Sequence, residues 1–206
     1  MIYHAAGVGI VLNREENTQK FFNKHRDDII AFDYHRDANL IATGEVGAKP
    51  SIYVWNSAGT QINHFKGAIH KGIQAVAFSP SGRYLAAVGK DMNHTVAIMD
   101  LQTGATLSTQ KGDSARILGM CWINDLQLVT VGVRHYKFWE RKGRMLKEKR
   151  GLFGKKENRL GSVAANSAGV LFTGTVSGAM HAWKYNKIVG SVKYHKRAID
   201  ALYVDS

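Results

Sequence analysis

Short, mostly apolar runs follow one another along the whole chain, parted by turns rich in Gly, Ser, Asn and Asp. Runs of this length, bounded in this way, read as β-strands. The clearest set is 73–78, the turn Ser79-Pro80-Ser81-Gly82, then 84–88, then 95–99 ended by Asp100, and after Gln102-Thr103-Gly104 the polar run 105–110. The same order of three apolar runs and one polar run recurs at 29–34, 40–43, 51–55 and 61–65, at 117–123, 127–131, 136–139 and 145–149, and at 161–165, 170–173, 180–183 and 188–192. Both prolines, Pro50 and Pro80, fall outside the strand interiors, where a missing N–H does no harm.

Two markers share one period. The third run of each set ends at Trp55, Met99, Trp139 and Trp183, spaced 44, 40 and 44 residues apart, and glycines close the second run at Gly44, Gly89, Gly132 and Gly174, spaced 45, 43 and 42. A repeat of ~40–45 residues holding four strands is the signature of a WD40-type β-propeller blade. The expected fold is all-β: one WD-repeat propeller region over 1–206, with complete blades at 25–66, 67–111, 112–156 and 157–194 and the three tryptophans buried at equivalent places. Residues 1–24 read as the last three strands of a blade and 195–206 as a first strand only. These fragments could pair into a fifth, composite blade. Seven blades of this period would need ~290 residues, and a piece of a longer propeller is the preferred expectation.

Composition adds class. With 45% apolar residues the chain is expected to be globular. No stretch approaches the ~20 uninterrupted apolar residues of a membrane span, and the first residues lack the charged front of a signal peptide, so an intracellular protein without a membrane partner is expected. The single cysteine, Cys121, beside Trp122, admits no intrachain disulfide and reads as a buried thiol. Charge changes the picture more. The net is +12, and half of it lies in 140–159, where Arg141, Lys142, Arg144, Lys147, Lys149, Arg150, Lys155, Lys156 and Arg159 face only Glu140, Glu148 and Glu157. On the blade pattern these nine form a positive outer rim that attracts an anionic partner. Lysines on an exposed edge strand also block edge-to-edge pairing, which is the plainer account of them.

Reactive chemistry finds little support. Gly151 and Gly154 are too close for a nucleotide-binding loop, no His or Cys spacing gathers metal ligands, and no Gly-x-Ser-x-Gly elbow presents a nucleophile. The expectation is a protein that is not an enzyme and has no cofactor and no metal. His25, His70 and His195, each a few residues ahead of a first strand, read as structural hydrogen-bonding histidines.

Several segments, in order, resemble the echinoderm microtubule-associated protein-like family. His25-Arg26-Asp27-Asp28-Ile29 through Ile41-Ala42-Thr43-Gly44-Glu45 is similar to its opening and IATG-type strands, and Lys49-Pro50-Ser51-Ile52-Tyr53-Val54-Trp55-Asn56 to its long loop before a VRVWD-like strand. Gly72-Ile73-Gln74-Ala75-Val76-Ala77-Phe78-Ser79 and Asp91-Met92-Asn93-His94-Thr95-Val96 follow, and Gly151-Leu152-Phe153-Gly154-Lys155 resembles the GIFGK element. The matches cover nearly the whole chain. Where a typical blade has an aspartate six residues before the tryptophan, this chain has Lys49, Asn93, Val133 and Ser177, so each blade is expected to lack one polar network, as in the family's second propeller. The family's amino-terminal hydrophobic motif and coiled coil have no counterpart in these residues.

The resemblance implies a microtubule-associated WD-repeat protein of the cytoplasm and cytoskeleton, meeting tubulin or another acidic protein surface through its basic rim, beside the rest of a larger propeller. Ciliary and general cytoplasmic settings both stay open. The charge alone would equally permit a general scaffold or an RNA-associated propeller. Phe153 is the sole aromatic in 140–159, and nucleic-acid readers interleave several with their basic residues, which favours the acidic protein.

Overall fold

The computed structural model describes residues 1–166 and 168–204; the last two residues of the expected strand at 195–206 lie outside the described residues. Among the described residues there are strands and turns and no helix. The first sheet has three strands, β1 (Ile2–Ala5), β2 (Val8–Asn13) and β3 (Thr18–Phe22). Four sheets of four strands follow: β4 (Ile29–His35), β5 (Leu40–Glu45), β6 (Ile52–Asn56) and β7 (Gln61–Phe65); β8 (Ile73–Phe78), β9 (Tyr84–Gly89), β10 (Val96–Asp100) and β11 (Ala105–Gln110); β12 (Ile117–Asn124), β13 (Gln127–Gly132), β14 (His135–Lys142) and β15 (Met145–Arg150); and β16 (Leu160–Ala165), β17 (Leu171–Thr175), β18 (Ala179–Lys184) and β19 (Lys187–Lys193). In each sheet every strand pairs antiparallel with its neighbour in sequence, the meander of a propeller blade. Residues 195–204 form no strand.

Met1–Phe78 with Gly82–Lys111 make one compact unit, and Ser79–Ser81 with the residues from Gly112 onward make a second. Both are built alike. The second and third strands of a blade are covered on both faces and so read as continuous apolar runs; all of β9 and β10 is buried. Outermost strands meet solvent and are polar, as in Gln61–Phe65 and Met145–Arg150. The first unit packs Val54, Phe65, Ile73, Leu85 and Met99 into one cluster, with Phe22, Ile41, Tyr53 and Trp55 in another. The second packs Val129, Tyr136, Phe138, Leu160, Leu171 and Trp183.

Trp55, Met99, Trp139 and Trp183 are all fully buried, opposite Ile41, Leu85, Leu128 and Leu171 on the second strand. This register explains why the glycines are unevenly spaced. Gly44 and Gly174 lie three residues past the tryptophan's partner, whereas Gly89 and Gly132 lie four past theirs. The first pair are sockets. A Cβ on Gly44 would stand 2.5 Å from Ile73, and one on Gly174 would stand 2.5 Å from Ile199, so each admits the leading isoleucine of the segment that follows its blade. In all four complete sheets the first strand skips one residue near its start, at Ile30, Gln74, Leu118 and Gly161. Such bulges bend and twist the strand, and their recurrence makes them part of the blade's design.

Candidate functional site

The nine basic residues divide among three places in the second unit. Arg141 and Lys142 end β14, and Arg144 follows Gly143 (φ 61°) in the tight turn. Lys147, Lys149 and Arg150 lie on β15, the outermost strand of its sheet, with Lys147 and Lys149 on one face by the two-residue alternation. Lys155, Lys156 and Arg159 lie in the segment leading to β16. Eight of the nine are exposed. Arg141 is the exception, half-buried with its guanidinium donating to the carbonyls of Gly143 and Asp125 at 3.3 and 3.4 Å. Arg159 is drawn away from the outer strand, its peptide bridging to Val133 and accepting from the Val176 N–H.

Local neutralisation works in the surface's favour. Glu148 is taken up by Lys137, a nearly buried lysine from β14 whose ammonium also lies 5.1 Å over the Trp139 ring. Lys142 and Glu140, 3.8 Å apart and both well exposed, form a pair of the kind that contributes little. The second unit carries 17 Lys and Arg against seven Asp and Glu, net +10, and the first carries 11 against nine, net +2. Attraction for anions therefore resides in the second unit.

The Gly151-Leu152-Phe153-Gly154-Lys155 element is a joint. A side chain at Gly151 would stand 2.7 Å from Tyr136, Leu152 pairs with Lys187 as a short parallel bridge, and the Phe153 ring meets Trp183 edge-on at 5.3 Å. Trp183 is stacked from its other neighbour, Tyr136, at 3.9 Å. Asn186 fixes the turn by donating to the Arg150 carbonyl at 2.8 Å. The joint brings Lys184 and Lys187, both exposed, beside the basic segment. Sequence reasoning missed these two. Their signal was a Lys-Tyr-Asn-Lys turn whose place depends on the bridge to Leu152. Lys184 also lines an open cleft of about 390 Å³ with Ile123, Phe138, Val170 and Tyr185.

Polar networks behind the tryptophans correct a second expectation. The chain lacks the usual aspartates, yet two blades build the network with carboxylates from elsewhere. In the first unit Trp55 Nε1–H donates to Thr43 Oγ1 at 3.2 Å, Thr43 lies 2.7 Å from His25 Nε2, and His25 Nδ1 lies 2.8 Å from Glu45. In the second, Trp139 donates to Thr130 at 2.9 Å, Thr130 meets His135 Nε2 at 2.8 Å, and His135 Nδ1 meets Asp113 at 3.0 Å. An indole can only donate, so the hydroxyl passes its proton toward Nε2 and the neutral imidazole donates Nδ1–H to the carboxylate. All that the network requires is a carboxylate within reach of the far nitrogen. Burial alone would raise Glu45, but hydrogen bonds from His25 and from the Arg26 and Ser51 N–H groups outweigh it and lower its pKa.

The blade ending at Trp183 keeps only the Trp183–Thr173 bond at 2.9 Å; His181 turns to Ser191 and to the Glu157 carbonyl. In the blade of Met99 the threonine position is Ala87, so both partners are apolar and no polar atom is stranded. Of the three histidines singled out, His25 has the structural role, whereas His70 and His195 are exposed; their lead-in loops hold them outside the blade, and His135 on β14 serves instead. Cys121 is a free, half-buried cysteine whose thiol burial pushes up to about 12. Among the described residues no group of three or more His, Cys, Asp and Glu could hold a metal ion.

The chain is similar to known proteins in sequence and in fold. Residues 18–206 fit the family model of the echinoderm microtubule-associated protein first beta-propeller. The likeness is thus to the first propeller, which corrects the comparison of its atypical blades with the second. The 77 kDa echinoderm microtubule-associated protein of Strongylocentrotus purpuratus is 32% identical over 89% of this chain and 29% of its own length. The ciliary WD repeat-containing protein ctxp80 of Euplotoides octocarinatus is 28% identical over 94% of this chain and 30% of its own length. The chain therefore spans less than a third of these relatives. The crystal structure of the Myceliophteria thermophila Cps50 (Swd1) beta-propeller domain superposes with a TM-score of 0.71 at 15% identity, covering 85% of this chain and 60% of that one, which fixes the fold. On the family match over nearly its whole length, the chain belongs to the echinoderm microtubule-associated protein family, as part of its first β-propeller.

Proposed function

We propose that this chain is a non-enzymatic, microtubule-associated WD-repeat module that meets the acidic surface of tubulin through Lys142, Arg144, Lys147, Lys149, Arg150, Lys155 and Lys156, joined by Lys184 and Lys187. The observation that carries the reading is the exposure of these cations in a unit of net +10 in which Glu148 is already occupied by Lys137 and Glu140 meets Lys142 in an exposed pair. Relatives named as microtubule-associated and as ciliary support a cytoskeletal location, cilia included. The alternative, an RNA-associated or general scaffold, finds less support. Base stacking needs several free aromatic faces among the basic residues; Phe153 is turned onto Trp183, which leaves Tyr185, 59% exposed between Lys184 and Lys187, as the ring this surface offers.

Cosedimentation with microtubules tests the proposal. Reversal of Lys147, Lys149, Lys155 and Lys156 to Glu should abolish binding and leave the thermal midpoint nearly unchanged. Undiminished binding by that variant, or equal affinity of the parent for single-stranded RNA and for tubulin, would return the lysines to edge protection or to the scaffold reading.

A further inference from the structure

We propose, on the reading that this unit meets an acidic partner, that the cleft between the blade of Trp139 and the blade of Trp183 receives a large apolar side chain from an acidic peptide segment. Ile123, Phe138, Val170 and Tyr185 wall the cleft, Gln127 and Lys184 add polar groups to its lining, and its volume is about 390 Å³. Ligand sites begin at about 300 Å³ and combine mostly apolar walls with a few placed polar groups. Both walls belong to complete four-stranded sheets.

The first unit shows how such a seam is closed. Just before the residue opposite each buried tryptophan or methionine stand Leu40, Tyr84, Gln127 and Val170, and just after the tryptophan or methionine itself stand Asn56, Asp100, Glu140 and Lys184. The seam of the first unit therefore has Leu40 from one blade with Tyr84 and Asp100 from the next. Leu40 packs against the main cluster and Tyr84 is 8% exposed. Asp100 is buried, accepting from the Gln102 N–H at 2.9 Å and from Arg83 at 3.3 Å. At the same places the second unit has Gln127, Val170 and Lys184. A valine for a tyrosine leaves room, and a lysine for an aspartate reverses the charge beside it. Leu101, the equivalent of Tyr185, also packs against the cluster of its unit, whereas Tyr185, at φ 54°, is 59% exposed.

Register turns the basic strand toward this opening. Gln127, Glu140 and Lys147 lie opposite one another across β13, β14 and β15, as do Val129, Phe138 and Lys149, and alternation puts both rows on one face. That face is the cleft's, since the Phe138 ring meets that of Tyr185 edge-on at 5.9 Å. The lysines beside the cleft are thus Lys147, Lys149 and Lys184. Of the carboxylates, Glu140 lies 3.8 Å from Lys142, and Asp125 accepts the Ser81 N–H at 3.2 Å. Asn124 donates to the Gln127 side-chain oxygen at 3.0 Å, which leaves the Gln127 NH2 to donate to a ligand. An apolar anchor seated in a pocket carries most of the energy of such a contact, and the charges around it choose the partner. The aliphatic walls of Ile123 and Val170 suit a hydrocarbon side chain better than the polar edges of a base.

Fluorescence anisotropy with a labelled glutamate peptide carrying one central phenylalanine, and with a counterpart carrying alanine there, measures binding to the chain. The phenylalanine peptide should bind about tenfold or more tighter. Val170→Tyr, which restores the ring of the first unit and leaves every charge in place, should abolish that preference without lowering the thermal midpoint. Should circular dichroism show this variant unfolded, Lys184→Glu, at an exposed position, takes its place and should weaken the phenylalanine peptide more than Lys155→Glu does. Equal affinity for the two peptides overturns the proposal, as does a preference that survives the substitution, or tighter binding of oligouridine than of either peptide. A parent chain that ignores microtubules yet prefers the phenylalanine peptide supports the cleft and removes only tubulin. One that sediments with microtubules yet binds both peptides equally keeps tubulin and overturns the cleft.

Discussion

His135 and Asp113 meet at 3.0 Å across 22 residues of sequence, the imidazole wholly covered and the carboxylate 14% exposed. Burial alone would raise Asp113, but hydrogen bonds from the Ala115 N–H and from His135 outweigh it and hold the pKa at about 2, below its ordinary 3.8. A carboxylate depressed on folding stabilises fully above its unfolded value and loses that contribution as pH falls through the folded one. Asp113→Ala should therefore cost the protein about 1–3 kcal/mol at neutral pH, by stranding a buried N–H. It should also flatten the loss of stability between about pH 4 and pH 2. Urea unfolding of both proteins across that range measures it.

A different window belongs to His25. Burial lowers it below its ordinary 6.5, against the opposing hydrogen bond to Glu45. Its Nε2 must stay unprotonated to accept from Thr43. A histidine whose folded pKa lies below the unfolded one contributes stability above the unfolded value and loses it as pH falls through the folded one. The unfolding midpoint should drop as pH falls below about 6.5. A His25→Gln variant should be weaker at pH 7 and should show a shallower decline; an identical slope would exclude His25 as the titrating group.

The Met99 blade offers a double-mutant cycle. Met99→Trp alone places an indole N–H against Ala87, where no oxygen accepts it, and should destabilise by about 1–3 kcal/mol. Adding Ala87→Thr should recover part of that loss, with a coupling of about 0.5–3 kcal/mol between the two sites. Additivity in denaturant titrations would mean that the threonine does not receive the indole.

Adjacent residues of the joint should behave oppositely. Phe153→Ala removes the edge contact with Trp183 and should cost about 1–3 kcal/mol, whereas Leu152, 57% exposed, should tolerate Ala within about 0.5 kcal/mol. Thermal unfolding of the two variants decides it.

Binding to microtubules through exposed lysines should be steeply salt-dependent. The Debye length is about 8 Å at physiological ionic strength, and affinity should fall as salt rises beyond it. Sedimentation across a salt series, with Lys184→Glu and Lys187→Glu added to the basic-segment variants, should show a shallower slope for each charge removed.

Strands were legible because a buried strand and a polar turn leave opposite marks in sequence, and runs such as 61–65, 73–78 and 105–110 coincide with β7, β8 and β11. The tryptophan period was legible for the same reason, since Trp55, Trp139 and Trp183 hold one equivalent place in their blades and are wholly enclosed there. The networks were not. Glu45 reaches its histidine from the end of β5 and Asp113 from the loop before β12, and nothing local to either marks a partner 20 or 22 residues away. Nor was the withdrawal of Arg141, which depends on the Asp125 carbonyl that only the fold brings near, beside that of Gly143 in its own turn.

The sockets at Gly44 and Gly174 place half of each joint in the blade before it. The unit to copy is thus offset from the visible blade, running from just after one leading isoleucine through the next, so that a socket and the isoleucine that fills it travel together. A duplication with those endpoints inserts a further blade whose seam already fits on both sides, so the number of blades can change without any new surface having to be invented.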